Sequence, residues 1–265
     1  MAAAAAADNT GAEFEDEGVV AAYVHRTPYP PALFDRLLQL TSGRGRLLDL
    51  GCGPGKLTRT LAPHFAEVLA VDPSAAMLRL ARDLDAGANP NIAWTEAFAE
   101  QVPLPAAIDL VAAGASIHWM DAPRLFPRLA AAIAPDGVMA ILGGDGPAQA
   151  PWIAAWQEVI KAWVGKLGGQ WNGGGHQARL TGHQPWFDVT ATETFTAPMT
   201  QSVDDLIEAE HSRATWSRAK MGPLAPAFDA DLRAVVAPHA RGGEVTFEIS
   251  STLWWGRPRA TPRPA

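Results

Sequence analysis

Glycines at 51, 53 and 55, with an acid at 49 before them and another at 72 beyond them, form the pattern with the most specific chemistry in this chain. Alternate glycines make a tight turn, take left-handed backbone angles without strain and let a ligand approach the backbone closely. Asp72, about twenty residues past Gly51, stands where an acid closing a second strand accepts hydrogen bonds from a ribose diol. Gly51, Gly53, Asp72 and the neighbouring Pro73 therefore describe a cradle for a nucleotide-type cofactor. A dinucleotide suits it poorly. The hydride-cofactor fingerprint needs a glycine where this chain has Lys56. A ligand-facing Asp49 would also repel a pyrophosphate, yet it would welcome a ligand bearing an ammonium and a sulfonium. Asp72 before Pro73-Ser74 also reads as a helix cap, and both uses stay open. Cys52 lies within the turn and is counted among the cofactor-binding residues; its side chain reads as a small one packed there, with a reactive thiol as the other reading.

Ser116, His118 and Trp119 form the second group. They follow an apolar run that reads as a strand, and ligands of α/β folds sit at the carboxyl ends of parallel strands. His118 has three readings there: it orients a substrate, it accepts a proton, or it makes a structural hydrogen bond while Trp119 packs. His64, His176, His183 and His239 have no metal-ligand spacing with acids or cysteine, so no metal site is expected.

The elements that must position these residues follow from periodicity. Strands are predicted near 46–50, 67–71, 91–95, 107–113 and 137–142, with helices over Leu57–Leu61, Ala75–Arg82 and Ala122–Ile133. Such alternation implies parallel strands joined by right-handed crossovers. An amphipathic helix through Leu33, Leu37, Leu38 and Leu40 precedes them, and the turn Ala134-Pro135-Asp136-Gly137 introduces the fifth strand. After Gly143 the text changes. Trp152, Trp156, Ile160 and Trp163 recur at helical spacing, a glycine-rich loop spans 168–175, and strand, helix and strand return at Val189–Phe195, Val203–His211 and Glu244–Trp255.

At 265 residues and 48% hydrophobic content the chain suits one large domain with a packed core. Residues 1–18 read as a disordered leader and 258–265 as a disordered tail, flanking a domain over 19–257. No apolar run is long enough for a membrane span, and the leader lacks the basic start of a signal peptide. A net charge of −7 with no basic cluster outside the tail disfavours nucleic acid as a partner. One cysteine permits no internal disulfide, and a cytoplasmic setting is expected.

The segment Asp49-Leu50-Gly51-Cys52-Gly53-Pro54-Gly55 resembles motif I of the class I S-adenosylmethionine-dependent methyltransferases, matching its acid-x-Gly-x-Gly-x-Gly pattern residue for residue. Ser116-Ile117-His118-Trp119-Met120-Asp121 resembles the His-Trp-x-Asp signature of the trans-aconitate type of small-molecule methyltransferase. Tyr23-x-x-Arg26-x-Pro28-Tyr29-Pro30 resembles their amino-terminal box, with Thr27 intervening between Arg26 and Pro28, and it holds both tyrosines of the chain. The resemblance implies a Rossmann-like α/β fold: a seven-stranded, mostly parallel sheet, the seventh strand antiparallel, with helices on both faces and a helical substrate cover. Residues 46–143 would be the cofactor-binding core, and 144–186 and 200–240 the cover.

It further implies S-adenosyl-L-methionine as cofactor. Met77 would border the adenine or fill core. Phe98 and Ala99, within a stretch similar to the family's Gly-x-Ala-Glu-x-Leu-Pro segment, would line the adenine, with core filling as the other reading of Phe98. Arg26 would pair with the cofactor carboxylate or stand exposed, next to Tyr23. His211 and Arg213, in a segment similar to a Ser-rich helix over the pocket, would meet a substrate acid or form a solvated helix face. Trp171 beside glycines reads as a lid aromatic. The late tryptophans suit either an aromatic pocket or core packing. The implied activity is methyl transfer to a small molecule, leaning toward an oxygen nucleophile, with carbon or nitrogen acceptors close behind. A cyclisation or rearrangement on the same fold and a non-catalytic binding role are the rivals. A monomer or homodimer is expected.

Overall fold

A computed structural model describes residues 12–144, 146–170 and 182–264. Helices α1 (Glu17–Ala22) and α2 (Pro31–Leu40) precede the first strand. Then come β1 (Arg46–Leu50), α3 (Lys56–Leu61), β2 (Glu67–Asp72), α4 (Ala75–Asp85) and β3 (Ile92–Glu96). The alternation continues through β4 (Ile108–Gly114), α5 (Ala122–Ala132) and β5 (Ile133–Gly143). The remainder comprises β6 (Pro147–Gln149), α6 (Ile153–Lys166), β7 (Phe187–Ser202), α7 (Val203–His211), α8 (Arg218–Met221), α9 (Ala225–Val236) and β8 (Glu244–Pro258).

These form one sheet in the order β3-β2-β1-β4-β5-β8, with β7 and β6 both bonded to β8. The first five strands are parallel, and β8 runs antiparallel to β5, β7 and β6. The seven expected strands are present, and the short β6 adds an eighth inside the stretch read as cover. The expected turn at Ala134–Gly137 is instead the irregular start of β5, whose pairing with β4 slips between Ile108 and Leu110. Strand order reverses between β1 and β4, and that crevice is where ligands of such sheets bind.

Period-two alternation divides the sheet between two cores. Leu48, Leu50, Val111 and Ala113 meet Leu125, Phe126 and Leu129 of α5 on one face. Leu47, Leu110 and Ala112 meet Leu33 and Leu37 of α2 and Leu57 and Leu61 of α3 on the other. A third core lies apart from both, where Trp152, Trp156, Trp163, Trp216 and Phe228 pack with Val245, Phe247 and Ile249 of β8. Burying such aromatics gives the cover its own source of stability.

Both ends differ from expectation. Residues 12–18 of the leader are ordered: Ala12–Glu15 form a 3-10 turn, and the Asp16 carboxylate caps α1 by accepting from Gly18 N (2.8 Å) and Val19 N (3.1 Å). Residues 1–11 lie outside the described residues. The tail is pinned along β7. Arg259 N donates to Trp186 O and Arg263 N to Pro185 O, while both guanidinium groups grip Asp188. Burial pushes the Asp188 carboxyl up, but the two arginines together outweigh it and hold it below the usual carboxylate range. Among the described residues, no helix is long and apolar enough to cross a membrane.

Candidate active site

A cavity of about 700 Å³ opens at the carboxyl ends of β1, β2 and β4. Gly51, with φ +63°, must be glycine: a Cβ there would stand 2.5 Å from Ser116 Cβ. Ser116 is held in that position by donating its hydroxyl to Leu50 O (2.6 Å). Gly53 also has positive φ, and no atom would lie within 4 Å of a Cβ built on it. Both glycines line the cavity.

Asp72 does two jobs. Its Oδ2 accepts from Gly53 N (2.8 Å) and its Oδ1 from Ser74 N (2.9 Å), so it ties the glycine turn to the start of α4 while still lining the cavity. Each oxygen keeps a second acceptor site, which is what a ribose diol requires. Burial pushes its carboxyl up, against the pull of those two amide bonds. The helix cap itself is Ser74, whose hydroxyl accepts from Met77 N (3.1 Å) and donates to Phe14 O (2.7 Å).

Two expected contacts are corrected. Asp49 does not face the ligand. Strand alternation puts it on the Leu47 face of β1, beneath α3, where it is 1% exposed and accepts from Thr58 Oγ1 (2.5 Å). Burial pushes its carboxyl up to about 7, opposed by the Thr58 bond. Cys52 turns its side chain away from the cavity to pack on Ala70 and Leu78, and burial pushes its thiol well up, so it is no reactive thiolate.

The opposite wall comes from the turn after β4. Ala115, with φ +53°, is a non-glycine residue in the left-handed region. That strained link redirects the chain so that Ser116, His118 and Trp119 all line the cavity. His118 stacks tilted on Trp119 with centroids 4.8 Å apart. Pro73, Met77, Phe98 and Ala99 line the other end; Phe98 is 41% exposed, so it is an open platform rather than core filler, whereas Met77 is buried. Tyr23 closes the side nearest the amino terminus.

Sequence patterns missed Phe14, Gly114 and Arg124. Phe14 lines the cavity and packs edge-on against Trp119 (6.0 Å) and Tyr23 (6.5 Å). The signal that could have found it is Asp16, an N-cap residue just before the apolar Val19-Val20 pair. Gly114 lines the floor, where a Cβ would meet Tyr29 Oη at 2.7 Å. Arg124 stands on the rim beside Asp121, whose N–H donates to Glu100 (2.6 Å).

Three expected contacts lie elsewhere. Arg26 stacks on Tyr23 (4.0 Å) but sends Nε and a terminal nitrogen to Ser212 Oγ (2.6 Å) and Ser212 O (2.8 Å), tying the amino-terminal box to the cover. His211 faces the third core, with Nδ1 at 2.6 Å from Trp216 O and Nε2 at 2.6 Å from Asp229 Oδ1. It follows Leu206 and Ile207 on the apolar face of α7, so helical spacing turns it inward. Arg213 pairs with Glu210 (3.2 Å) and does not line the cavity. Trp171 lies outside the described residues. Among the described residues, no group of three His, Cys, Asp or Glu is placed to hold a metal ion.

This arrangement fits the cofactor that the motif implies. Its lining carries Asp72, Glu100 and Asp121 against Arg124, an acidic balance suited to a ligand with an ammonium and a sulfonium. Residues 47–137 match the family model described as methyltransferase domain. The trans-aconitate 2-methyltransferase of Paracidovorax citrulli is 37% identical over 170 residues, covering 62% of this chain and 60% of that protein. A Saccharomyces cerevisiae protein described as an S-adenosylmethionine-dependent methyltransferase is 35% identical over 124 residues, covering 43% of this chain and 41% of its own length. The chain thus spans about half the length of the curated relatives it matches. A solved structure from Anaeromyxobacter dehalogenans, described as a type II methyltransferase, superposes with a TM-score of 0.66 at 25% identity, over 90% of this chain and 99% of that one. These findings agree with the strand order: residues 47–137 match a methyltransferase domain, and the chain has the Rossmann-like α/β fold of the methyltransferase structure it superposes on.

Proposed function

We propose that the protein transfers a methyl group from S-adenosyl-L-methionine to a small-molecule acceptor, with an oxygen nucleophile, a carboxylate or hydroxyl, preferred. The observation carrying this reading is the cavity at the strand ends, where Asp72 is held by Gly53 and Ser74 and His118 faces it from the other wall. When bound, the cofactor supplies an electrophilic methyl on a sulfonium. Gly51 and Gly53 give close backbone approach, Asp72 holds the ribose hydroxyls, and Met77, Phe98 and Ala99 border the adenine. Phe14, Tyr23 and Trp119 exclude water, which matters because alignment and a dry site supply most of the rate in such a displacement.

The oxygen preference draws on the relatives named trans-aconitate 2-methyltransferase. A carboxylate arrives already ionised near neutral pH, so no base is needed and His118 orients the acceptor. For a hydroxyl or amine the same imidazole takes the proton. A cytoplasmic enzyme acting as monomer or homodimer completes the proposal.

The test is incubation with methyl-labelled cofactor and a panel of small acids, phenols and amines. Label should pass to an acid in preference to an amine, with S-adenosylhomocysteine released. No transfer to any of them, with cofactor binding confirmed by titration, overturns the reading.

A further inference from the structure

A second cavity, about 570 Å³, lies beyond Arg26, between the amino-terminal box, α3 and the junction of β7 with α7. Its charge differs from that of the first. Arg26, Lys56 and Arg59 all line it, a grouping that runs against the net charge of −7 of the whole chain. Lys56 Nζ donates to the carbonyls of Arg26 (3.1 Å) and Thr27 (2.8 Å), which fixes the ammonium on this wall. The other ionisable groups on the lining are His25, paired to Asp205 at 2.7 Å, and the exposed Glu244.

Gln201 supplies the independent clue. It is 8% exposed and lines this cavity, and its amide nitrogen donates to His25 O (2.7 Å). Its Oε1 is buried with no hydrogen-bond partner. A buried acceptor without a partner is costly, so a small turn of the amide that lets a ligand donor reach it is favoured. Tyr29 also lines this cavity while its hydroxyl reaches toward Gly114 on the floor of the first, so the two spaces share a wall.

We propose that the second cavity binds a small organic acid that also carries a hydrogen-bond donor, a hydroxy acid or an amino acid. Its carboxylate meets the charges of Lys56 and Arg59, with Arg26 adding positive potential from behind while it stays bonded to Ser212, and its hydroxyl or ammonium donates to Gln201 Oε1 as that amide turns toward the space. Glu244 on the rim favours the ammonium. This site stands on its own residues and does not depend on methyl transfer.

The experiment is calorimetric titration of the full chain, saturated with S-adenosylhomocysteine so that the first cavity is filled. Malate, serine and succinate are the probes; succinate has malate's charge without its hydroxyl. Malate or serine should bind with a Kd near or below about 1 mM, and succinate at least about threefold more weakly. Gln201→Leu should erase the difference between malate and succinate. Thr200→Trp, at an exposed strand position on the cavity wall, should weaken binding by at least about tenfold with S-adenosylhomocysteine affinity intact. Thr60→Trp blocks the same space from α3 if the first variant misfolds. A tighter serine than malate assigns the donor to an ammonium, the reverse to a hydroxyl. No binding up to about 20 mM, equal binding of malate and succinate, survival of binding in both blocked variants, or displacement by S-adenosylhomocysteine each overturns the proposal.

Discussion

The strand-end cavity and the helical cover are built from opposite materials. The cavity has a base of backbone and short side chains at fixed positions, Gly51, Gly53, Gly114, Ala115 and Ser116, with separate rings such as Phe14, Phe98 and Trp119 standing around it. The cover is made of large rings packed on one another, with Trp216 stacked on Phe228 at 5.0 Å and Trp163 edge-on to it at 5.5 Å. Even polar groups turn inward there, as His211 does toward Asp229. No described residue of 146–240 lines the first cavity. Among the described residues, Trp152, Trp156, Trp163 and Trp216 of the cover therefore mark the third core, and their contribution is to stability rather than to a stacked ligand.

That contrast can be broken most forcefully at Gly51. Gly51→Ala puts a Cβ 2.5 Å from Ser116 Cβ and a side chain at φ +63°. Left-handed backbone costs about 1–2 kcal/mol and overpacking about 1–3 kcal/mol more. Titration should show S-adenosylhomocysteine affinity reduced at least about a hundredfold, because the turn can accept the methyl only by moving Ser116. Unchanged affinity would mean that the turn does not form the cofactor wall.

A pair of variants separates the two regions next. Asp72→Asn should weaken cofactor binding by about 1.5–3 kcal/mol, roughly ten- to a hundredfold, with a small effect on unfolding. His211→Ala should do the reverse: about 2–4 kcal/mol less stable by chemical denaturation, from two lost hydrogen bonds and a void beside Phe228, with cofactor affinity kept. Crossed outcomes, with His211 governing affinity, would return the cover to the active site.

A subtler difference is protonic. Asp49 is buried in the sheet with its carboxyl raised to about 7 by desolvation. The folded state thus holds a proton that the unfolded chain has released above about pH 4. The stability this contributes is full below the ordinary carboxylate range and is lost as pH rises through about 7. Denaturation midpoints should fall from about pH 5 to about pH 8, and Asp49→Asn should remove Asp49's share of that slope. A cationic cofactor favours the ionised form, so cofactor affinity should rise over the same interval in the parent and less in the variant.

Legibility followed the same division. Where a position is set by strand period or turn chemistry, the residues announced themselves: Gly51, Gly53, Asp72, Ser116, His118 and Trp119 all line the cavity. Asp49 was misread because an acid before a glycine turn suggests a ligand, while alternation assigns it to the face under α3. His211 was misread for the matching reason, since its helical spacing from Ile207 points inward. Phe14 was hidden because its contacts with Trp119 and Tyr23 are tertiary, and an acidic, alanine-rich leader gives them no local signature. The Arg26 link to Ser212 spans most of the chain and has no periodic signal at all.

The smallest effect is expected at Ala115, where two terms oppose each other. Its φ of +53° is relieved by Ala115→Gly, a gain of about 1–2 kcal/mol in the folded state. Glycine also frees the unfolded chain, which returns about 0.4–1 kcal/mol of that gain. The net change in stability should be within about 1 kcal/mol and stabilising by chemical denaturation. Activity need not follow, because a looser link at 115 lets the turn carrying His118 and Trp119 move against the fixed Gly51 wall. Cofactor affinity should hold within about twofold while acceptor turnover falls, and a variant that is both more stable and fully active would show that the strained link has no part in aiming His118.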